Sequence, residues 1–281
     1  MKRTESIEQG PRPFRFSFGK NWRSFLSVLD ESRISESLRA LQTSLAVSSL
    51  DGWRVLDVGS GSGLSSLALR RLGARVVSFD FDKDSVACTR ELRQRFEPES
   101  GEDWQVLEGS VLDVNFLQQL GKFNLVYAWG VLHHTGDMWD AVDNSAALVA
   151  PGGVLLIALY NDQGWQSRIW WWIKRTYCAG WGGQALVGAI FYPLFAAYAL
   201  VLDLRNGNLP GTHAREYRRN RGMSLFHDWR DWLGGFPFEV TSPDELDARL
   251  HAAGFEPIGR KLTRGWGCNE FVYRLTSRHG D

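Results

Sequence analysis

Short apolar runs alternate with segments of helical spacing along most of the chain. The runs typical of strands occupy 53–58, 75–79, 104–107, 123–128 and 154–160. The segments with apolar residues at helical intervals are 34–50, 64–72, 84–96 and 138–148. Apolar strands that are separated by helices form parallel sheets with both faces covered. The alternation therefore predicts an α/β fold with a doubly wound, mostly parallel sheet.

The end of the chain departs from this alternation. The segment 242–245 is a capping box with proline at the first helical position, and it predicts a helix that ends at Gly254. Two further strand-like runs, 255–262 and 269–275, follow without an intervening helix. Consecutive strands with a short connection pair in antiparallel fashion, so the sequence predicts a C-terminal antiparallel hairpin.

Composition restricts the class of protein. With 281 residues, 44% of them hydrophobic and 23% charged, the chain can bury one large core with additions but hardly two full-sized domains. Lysine plus arginine and aspartate plus glutamate both number 32, so no overall field attracts a polyanion. A local basic cluster is expected to be a solvated helix face, and it consists of Arg215, Arg218, Arg219 and Arg221.

The cysteines and the N-terminus bear on the compartment. Cys88, Cys178 and Cys268 are far apart, odd in number and without the paired spacing of a zinc site, which indicates a reducing compartment. Residues 1–13 are polar, charged and contain proline, and they lack the apolar run of a signal peptide. We interpret them as a flexible arm, and the expected localisation is cytoplasmic.

A glycine-rich segment, Asp57 to Gly63, lies between the first predicted strand and the first predicted helix. Glycines allow positive φ and a close approach of the backbone to a ligand, and a helix N-terminus offers unpaired amides. The dinucleotide fingerprint needs glycine or alanine at the position of Leu64, so the NAD interpretation fails. The spacing is Asp-x-Gly-x-Gly-x-Gly instead.

This motif resembles that of the class I, Rossmann-like methyltransferases, and the resemblance extends from about Phe14 to the end of the chain. It implies a seven-stranded sheet and S-adenosylmethionine (SAM) as the cofactor. It also implies that the loop contacts the cofactor through Asp57, Gly59, Ser60, Gly61 and Gly63.

Residues after the next two strands fit the same cofactor. Asp80 ends the second strand, where a carboxylate can accept two hydrogen bonds from a ribose diol, whereas Asp82 suits a helix cap. The resemblance implies that Phe81 forms an apolar wall for adenine. It further implies that the turn after the third strand meets the adenine edge through the side chain of Ser110 and the amide of Val111.

Trp129 ends the fourth strand, and its indole face can attract the sulfonium of SAM; the alternative is ordinary core packing. The segment from Trp129 to His134 also resembles the small-molecule methyltransferases of ubiquinone biosynthesis. Some of those bind a metal through Glu-x-x-Glu-His, but the aligned positions here are Gly130, His133 and His134. Because the carboxylates are missing, we predict no required metal. We expect His133 to be structural and His134 to face the pocket.

About eighty residues separate the fifth strand from the capping box, far more than a usual connection in α/β units. We expect this insertion to form a helical lid that makes the substrate site. Tyr160 and Asn161 leave the carboxyl end of a parallel strand, where open sheets bind ligands. His227 and Asp228 are expected to act as a catalytic base and its orienting partner, or else to lie at the surface in salt bridges.

The predicted organisation has four parts. They are an N-terminal arm and cofactor-covering segment (1–33), a SAM-binding core (34–160), the lid (161–241) and a C-terminal helix and hairpin that complete the core (242–281). In the arm, Asn21 and Trp22 are expected to close over the cofactor or simply to begin a helix.

The stretch 185–202 carries no charge, and its 18 residues just reach the length of a membrane-spanning helix. Gly188 and Pro193 interrupt it, and a spanning pass would separate the two parts of one sheet, so we reject that topology. Two interpretations remain. The stretch is a buried hydrophobic cap or homodimer contact, or it is an interfacial helix that rests on a bilayer and recruits an apolar substrate.

Together these features predict a SAM-dependent methyltransferase that acts on a small molecule. Abundant aromatic residues favour a flat or apolar acceptor, and O-methylation is favoured over N-, S- or C-methylation. The predicted mechanism is in-line displacement, in which the protein holds the reactants in contact, excludes water and removes a hydroxyl proton.

Two other functions are considered. A nucleic-acid acceptor is disfavoured, because the Asn/Asp-Pro-Pro-aromatic group used on flipped bases is replaced by Ala128, Trp129, Gly130 and Val131. The rival from a different class is a non-catalytic module that keeps the SAM pocket and scaffolds a partner or a membrane.

Overall fold

The computed structural model describes residues 29–221, 225–263 and 267–276, together with Trp22, Leu26 and Gly265. Within these residues, seven strands form one sheet. The strands are β1 (Arg54–Val58), β2 (Arg75–Asp80), β3 (Trp104–Glu108), β4 (Phe123–Trp129), β5 (Val149–Tyr160), β6 (Phe255–Lys261) and β7 (Cys268–Leu275).

Helices precede, connect and extend these strands. In the described part of the chain they are α1 (Glu31–Leu45), α2 (Leu64–Arg71), α3 (Lys83–Phe96), α4 (Val114–Gln118), α5 (Met138–Ala147), α6 (Trp165–Cys178), α7 (Trp181–Arg205), α8 (Thr212–Arg221), α9 (Leu225–Gly234) and α10 (Pro243–Ala252). Short 3₁₀ turns occupy Gly101–Asp103 and Leu132–His134.

The strand order is β3-β2-β1-β4-β5-β7-β6. Strands β1 to β5 pair in parallel, and β7 runs antiparallel to both β5 and β6. This confirms the predicted doubly wound, seven-stranded sheet with its C-terminal hairpin. The order reverses between β1 and β4, and ligands bind outside the carboxyl ends of strands at such a switch point.

Apolar layers cover both faces of the sheet. Helices α5 and α10 bury one face, where Leu56 and Phe79 are inaccessible to solvent. Helices α1, α2 and α3 bury the other, where Val55 and Trp104 lie. Burial on both sides is the reason why the strand sequences are continuously apolar instead of alternating.

The boundaries of several elements differ from the expected ones, most of all those of β5 and of α1, which ends at Leu45 instead of residue 50. Helix α1 begins earlier than expected, because the side chain of Asp30 caps it by accepting from the Arg33 amide at 3.0 Å. Strand β5 begins at Val149 and contains the predicted turn 151–153 as a bulge in its pairing with β4. The predicted capping box at the start of α10 is present.

The insertion is helical, as predicted, and consists of α6 to α9. Helix α7 is not the buried cap that the sequence suggested. Within the most apolar 18-residue stretch of this helix, only 11% is buried. Leu194, near the middle of the helix, is 57% exposed. Its inner side packs on α6 and α9, but no layer in the described part of the chain covers the outer side. The interpretation as a buried cap was therefore wrong, whereas the homodimer contact and the interfacial helix stay predictions. By length and composition, α7 is the one described helix that could cross a membrane.

The lid has a small core of its own, which includes Trp170, Tyr177 and Phe238. Lys174 of α6 is fully buried there. Its amine donates to the carbonyl of Trp232 and lies 4.2 Å from the centre of the Trp232 indole. Burial disfavours the charged form, and it lowers the pKa of Lys174 to about 7.

We predict that Lys174→Met stabilises the protein at acidic pH and loses this advantage as the pH rises. The unfolded chain keeps the lysine proton up to the ordinary pKa of 10.5, whereas the folded protein releases it near pH 7. The unfolded state therefore binds more protons between these values, and the wild-type free energy of unfolding rises there by up to about 1.4 kcal/mol per pH unit. Below pH 7 Lys174 is protonated in both states, and the wild type then bears the full free-energy cost of burying a charged amine.

Urea unfolding of both proteins at several pH values measures this difference. Lys83→Met is the matched control, because the Lys83 side chain is 82% exposed. A stability difference between wild type and Lys174→Met that stays constant with pH would contradict the buried, largely uncharged amine.

Candidate active site

The loop between β1 and α2 has a backbone conformation that depends on its glycines. Gly59, Gly61 and Gly63 have φ values of 73°, 54° and 82°, a region that other residues rarely adopt. The amide of Gly59 donates to the carbonyl of Phe79 at 2.8 Å, which ties the loop to β2. A Cβ atom at Gly59 would lie 2.3 Å from Val131, so only glycine fits there. The loop thus presents bare backbone at the N-terminus of α2, a favourable site for a polar ligand.

Asp80 connects the loop to the next strand and helix. One carboxylate oxygen accepts from the amide of Gly61 at 3.0 Å, and the other accepts from the amide of Asp82 at 2.8 Å. Asp82 in turn caps α3 by accepting from the amide of Asp84 at 2.9 Å, as its position predicted. The Asp80 carboxylate therefore lies beside the loop that the resemblance assigns to the cofactor.

Two of the expected cofactor residues lie beneath the loop. Asp57 is buried, accepts from the hydroxyl of Ser66, and has its pKa raised to about 7, chiefly by burial. The hydroxyl of Ser60 is 2.9 Å from that of Thr89, within the core. Both side chains support the loop from below in this structure.

A cleft of about 840 Å³ continues from the ends of β2 and β3. Phe81 is half exposed in its wall, and Ser110 lines it too. The Ser110 hydroxyl accepts from the amide of Leu112 at 3.2 Å, which shapes the turn. The side chain of Val111 belongs to the core instead, so only its backbone remains for the role that the resemblance implied.

Tryptophans lie near the glycine loop and at the end of β4. The indole of Trp22 lies against the loop, because a Cβ at Gly61 would come within 3.2 Å of it. Trp129 ends β4 and is half exposed, so it is not an ordinary core residue. Asn21 lies outside the described residues.

A second set of aromatic residues surrounds Tyr160 at the end of β5. The ring centre of Tyr160 is 4.0 Å from that of His133, 5.2 Å from Phe238 and 5.8 Å from Trp232. Tyr160, Trp232 and Phe238, together with Trp170 and neighbouring residues, line a chamber of only about 10 Å³, roughly the room of one water molecule. The chamber is therefore closed in this conformation.

His134 lies at the edge of this aromatic set. Its Nδ1 is 2.7 Å from the carbonyl of Pro237, and because a carbonyl can only accept, Nδ1 carries the proton. Nε2 is then the basic nitrogen. His133 is buried, and its pKa is held well below the ordinary value, first by burial and then by the charges of His134 and Lys174. The two histidines therefore have different environments, as the sequence suggested.

The remaining candidates have other contacts. Asn161 accepts from the side chain of Asn269 at 3.1 Å and donates to the carbonyl of Thr263 at 3.4 Å, so it ties β5 to the hairpin. The side chain of His227 lies outside the described residues. Asp228 is partly buried, and its charge adds to the raised pKa of Tyr160, after burial and Cys268. The pairing of His227 with Asp228 stays a prediction.

The described residues contain no group of three His, Cys, Asp or Glu side chains that could hold a metal ion. That no metal is required stays a prediction, because the chemistry has not been tested by this observation.

Lys174 is the residue of this region that the sequence analysis missed. The buried residues of α6 are Ser167, Trp170, Lys174 and Tyr177. Their spacing of three, four and three residues is that of one helix face. This spacing could have indicated that Lys174 is buried. A lysine next to a run of tryptophans is, however, also typical of the polar flank of an apolar stretch.

Comparison with known proteins agrees with the geometry. A family model described as a methyltransferase domain matches residues 29–258. The ubiquinone biosynthesis O-methyltransferase of Xanthomonas campestris pv. campestris is 37% identical over 112 residues, 40% of this chain and 45% of that protein. The enzyme of the same name from Rhodopseudomonas palustris is 26% identical over 136 residues, 48% and 51% of the two chains. The chain thus spans about half the length of these curated relatives.

Solved structures share the fold. Magnesium protoporphyrin IX methyltransferase from Synechocystis PCC 6803 with bound S-adenosylhomocysteine (SAH) aligns with a TM-score of 0.53 and 16% identity, over 91% of this chain and 93% of that one. N-methyltransferase NodS from Bradyrhizobium japonicum WM9, also in complex with SAH, aligns with a TM-score of 0.51 and 13% identity, over 93% of this chain and 100% of that one. With the family match over most of its length and the glycine loop at the switch point of its sheet, the chain belongs to the class I methyltransferases, whose cofactor is S-adenosylmethionine.

Proposed function

We propose that this protein transfers a methyl group from SAM to a hydroxyl of a small aromatic or apolar acceptor. The observation that carries the proposal is the position of His134. Its ring is fixed by the Pro237 carbonyl and lies beside an aromatic chamber at the carboxyl ends of β4 and β5. A base held in one tautomer next to a hydrophobic chamber suits the removal of a hydroxyl proton.

The cofactor side fits SAM. The glycine loop lies at the N-terminus of α2 beside Asp80, where it can meet the amino-acid part of the cofactor, and Trp22 packs against Gly61. The Asp80 carboxylate ends β2 beside the loop, where a carboxylate can accept from the ribose hydroxyls. Phe81 offers a half-exposed ring to adenine.

On the acceptor side, aromatic walls select flat or apolar molecules. Tyr160, Trp170, Trp232 and Phe238 supply these walls, and three of the four belong to the lid or to its return to the sheet. Because the chamber is closed, an acceptor enters only when the lid moves away from Tyr160. Closure around the acceptor then excludes water from the reaction.

The chemistry divides between the cofactor and the chain. SAM, when bound, supplies an electrophilic methyl group on a sulfonium sulfur. His134 takes the hydroxyl proton on Nε2 while Nδ1 keeps donating to Pro237, so the imidazolium that forms stays hydrogen-bonded. His133 packs against Tyr160 and His134 and remains neutral, because burial lowers its pKa. The proton leaves to solvent when the lid reopens.

Two observations favour oxygen as the acceptor atom. The curated relatives named above are O-methyltransferases, although the chain covers only about half of each. A hydroxyl also needs a base more than an amine, a thiolate or a carbanion does, and the chamber provides His134. The working compartment is proposed to be the cytoplasm, because Cys88, Cys178 and Cys268 are all unpaired.

The first test concerns the cofactor. Asp80→Ala should weaken SAM binding by about 1.5 to 3 kcal/mol, because it removes charged acceptors from the ribose and releases the Gly61 amide. Titration calorimetry with SAM measures the effect. Asp82→Ala is the matched control: it removes the cap of α3 and lowers stability by about 1 kcal/mol, with SAM affinity kept. Unchanged SAM affinity in a folded Asp80→Ala protein would contradict the proposal that Asp80 binds the ribose of SAM.

The second test concerns the base. His134→Gln should lower the single-turnover rate of catechol methylation by about 100-fold or more, with SAM affinity preserved, because the hydroxyl proton has no acceptor. The methylation rate of the more acidic nitrocatechol should fall much less, because its hydroxyl ionises without a protein base. His227→Gln tests the alternative base. If His134→Gln and His227→Gln both keep near wild-type rates from about pH 6 to 9, neither histidine removes the hydroxyl proton, and the proposed base is wrong.

A further inference from the structure

Helix α7 exposes apolar side chains over most of its circumference. No charged residue occurs from Trp181 to Leu202. The outer side chains are at least half exposed, and they include Leu186, Ile190, Leu194, Tyr198, Val201 and Leu204. Soluble monomers rarely leave so continuous an apolar surface in water, because each Å² costs about 25 cal/mol. We call these six residues the outer face of α7.

The inner side of α7 is attached to the lid along its length. Ring centres of Phe191 and Trp170 are 5.5 Å apart, and those of Phe195 and Trp229 are also 5.5 Å apart. The hydroxyl of Tyr192 is 2.8 Å from that of Tyr177. These contacts hold the inner side of α7 against α6 and α9. Only its outer face is available to a partner.

The end of α7 carries a basic helix. Asp203, the one acidic residue of α7, is buried and accepts from the amides of Gly211 at 2.8 Å and His213 at 2.7 Å. This contact fixes the start of α8 against the end of α7 and withdraws the negative charge from the surface. The segment 205–221 then contains one acid, Glu216, and five arginines: Arg205, Arg215, Arg218, Arg219 and Arg221.

We infer that the outer face of α7 and the basic α8 dock the protein on one leaflet of a bilayer that contains anionic lipids. An apolar face that is followed in the chain by a segment rich in arginine matches the acyl region and the anionic headgroups of such a surface. Trp181 at the start of α7 is 87% exposed, and tryptophan is enriched at membrane interfaces. A second copy of this chain is a poorer partner, because its own α8 would bring the same net positive charge to the contact.

The same lid roofs the acceptor chamber. Trp170 of α6 contacts Phe191 on α7, and on its other side it contacts Trp232, whose ring packs against Tyr160. Docking would therefore hold the chamber close to acceptors that are dissolved in the membrane. This consequence rests on the proposed function, whereas the docking itself does not.

Vesicle flotation of the full chain, without SAM or acceptor, tests the docking independently of methyl transfer. Wild type should float with vesicles of phosphatidylcholine and phosphatidylglycerol, and float less with phosphatidylcholine alone. Leu194→Asp should lower the affinity by about tenfold or more, with thermal stability unchanged because Leu194 is exposed. Ile258→Asp, at a residue of β6 that is 49% exposed, is the matched control and should float like wild type.

The charge contribution has its own pair of variants. Arg215→Glu should weaken binding to anionic vesicles by about tenfold or more, whereas Arg274→Glu on β7 should not. Docking is refuted if wild type fails to float with either vesicle type, or if Leu194→Asp floats as well as wild type. A wild-type dimer that Leu194→Asp dissociates, with no vesicle binding, would assign the outer face to a second copy instead.

Discussion

One carboxylate organises the cofactor side of this protein. Asp80 accepts from the amide of Gly61 in the glycine loop and from the amide of Asp82 at the start of α3. It thereby joins β1, β2 and α3 where the sheet opens. The loop itself needs three residues at positive φ, a conformation that is easily lost without an external hold. The described residues that line the cofactor cleft lie at or after the ends of β2 and β3, among them Phe81 and Ser110, and none of them belongs to the insertion.

The acceptor side is built differently, from the return of the insertion to the sheet. The Glu239 carboxylate accepts from the amides of Gly136 and Met138 at 3.0 and 3.1 Å, and so supplies the N-terminal amides of α5 with a partner. Two residues earlier, Pro237 holds His134. The segment that ends the lid therefore sets both the helix after β4 and the tautomer of the proposed base. Movement of the lid and basicity of His134 are physically linked through these contacts.

Sequence reasoning predicted the parts that depend on local pattern. The sheet, the capping box and the glycine loop follow from apolar periodicity and from residue spacing within short segments. The contact of His134 with Pro237 joins positions far apart in the chain, and no local pattern reports it. The exposure of α7 depends on whether another element covers it, which hydropathy cannot tell. The burial of Lys174 could have been predicted, because its spacing from Trp170 places it on the buried face of α6.

Lys174 also bears on the proposed opening of the lid. A buried amine with a pKa near 7 makes the lid core less stable than an all-apolar one of the same size. The sheet beneath has extensive apolar layers on both faces, whereas the lid has one small cluster. Local opening uses the elements with the fewest buried contacts, because they separate at the lowest free energy. The proposed entry of an acceptor at Tyr160 therefore needs movement of the insertion only, and the contacts of Asp80 with the glycine loop can stay in place.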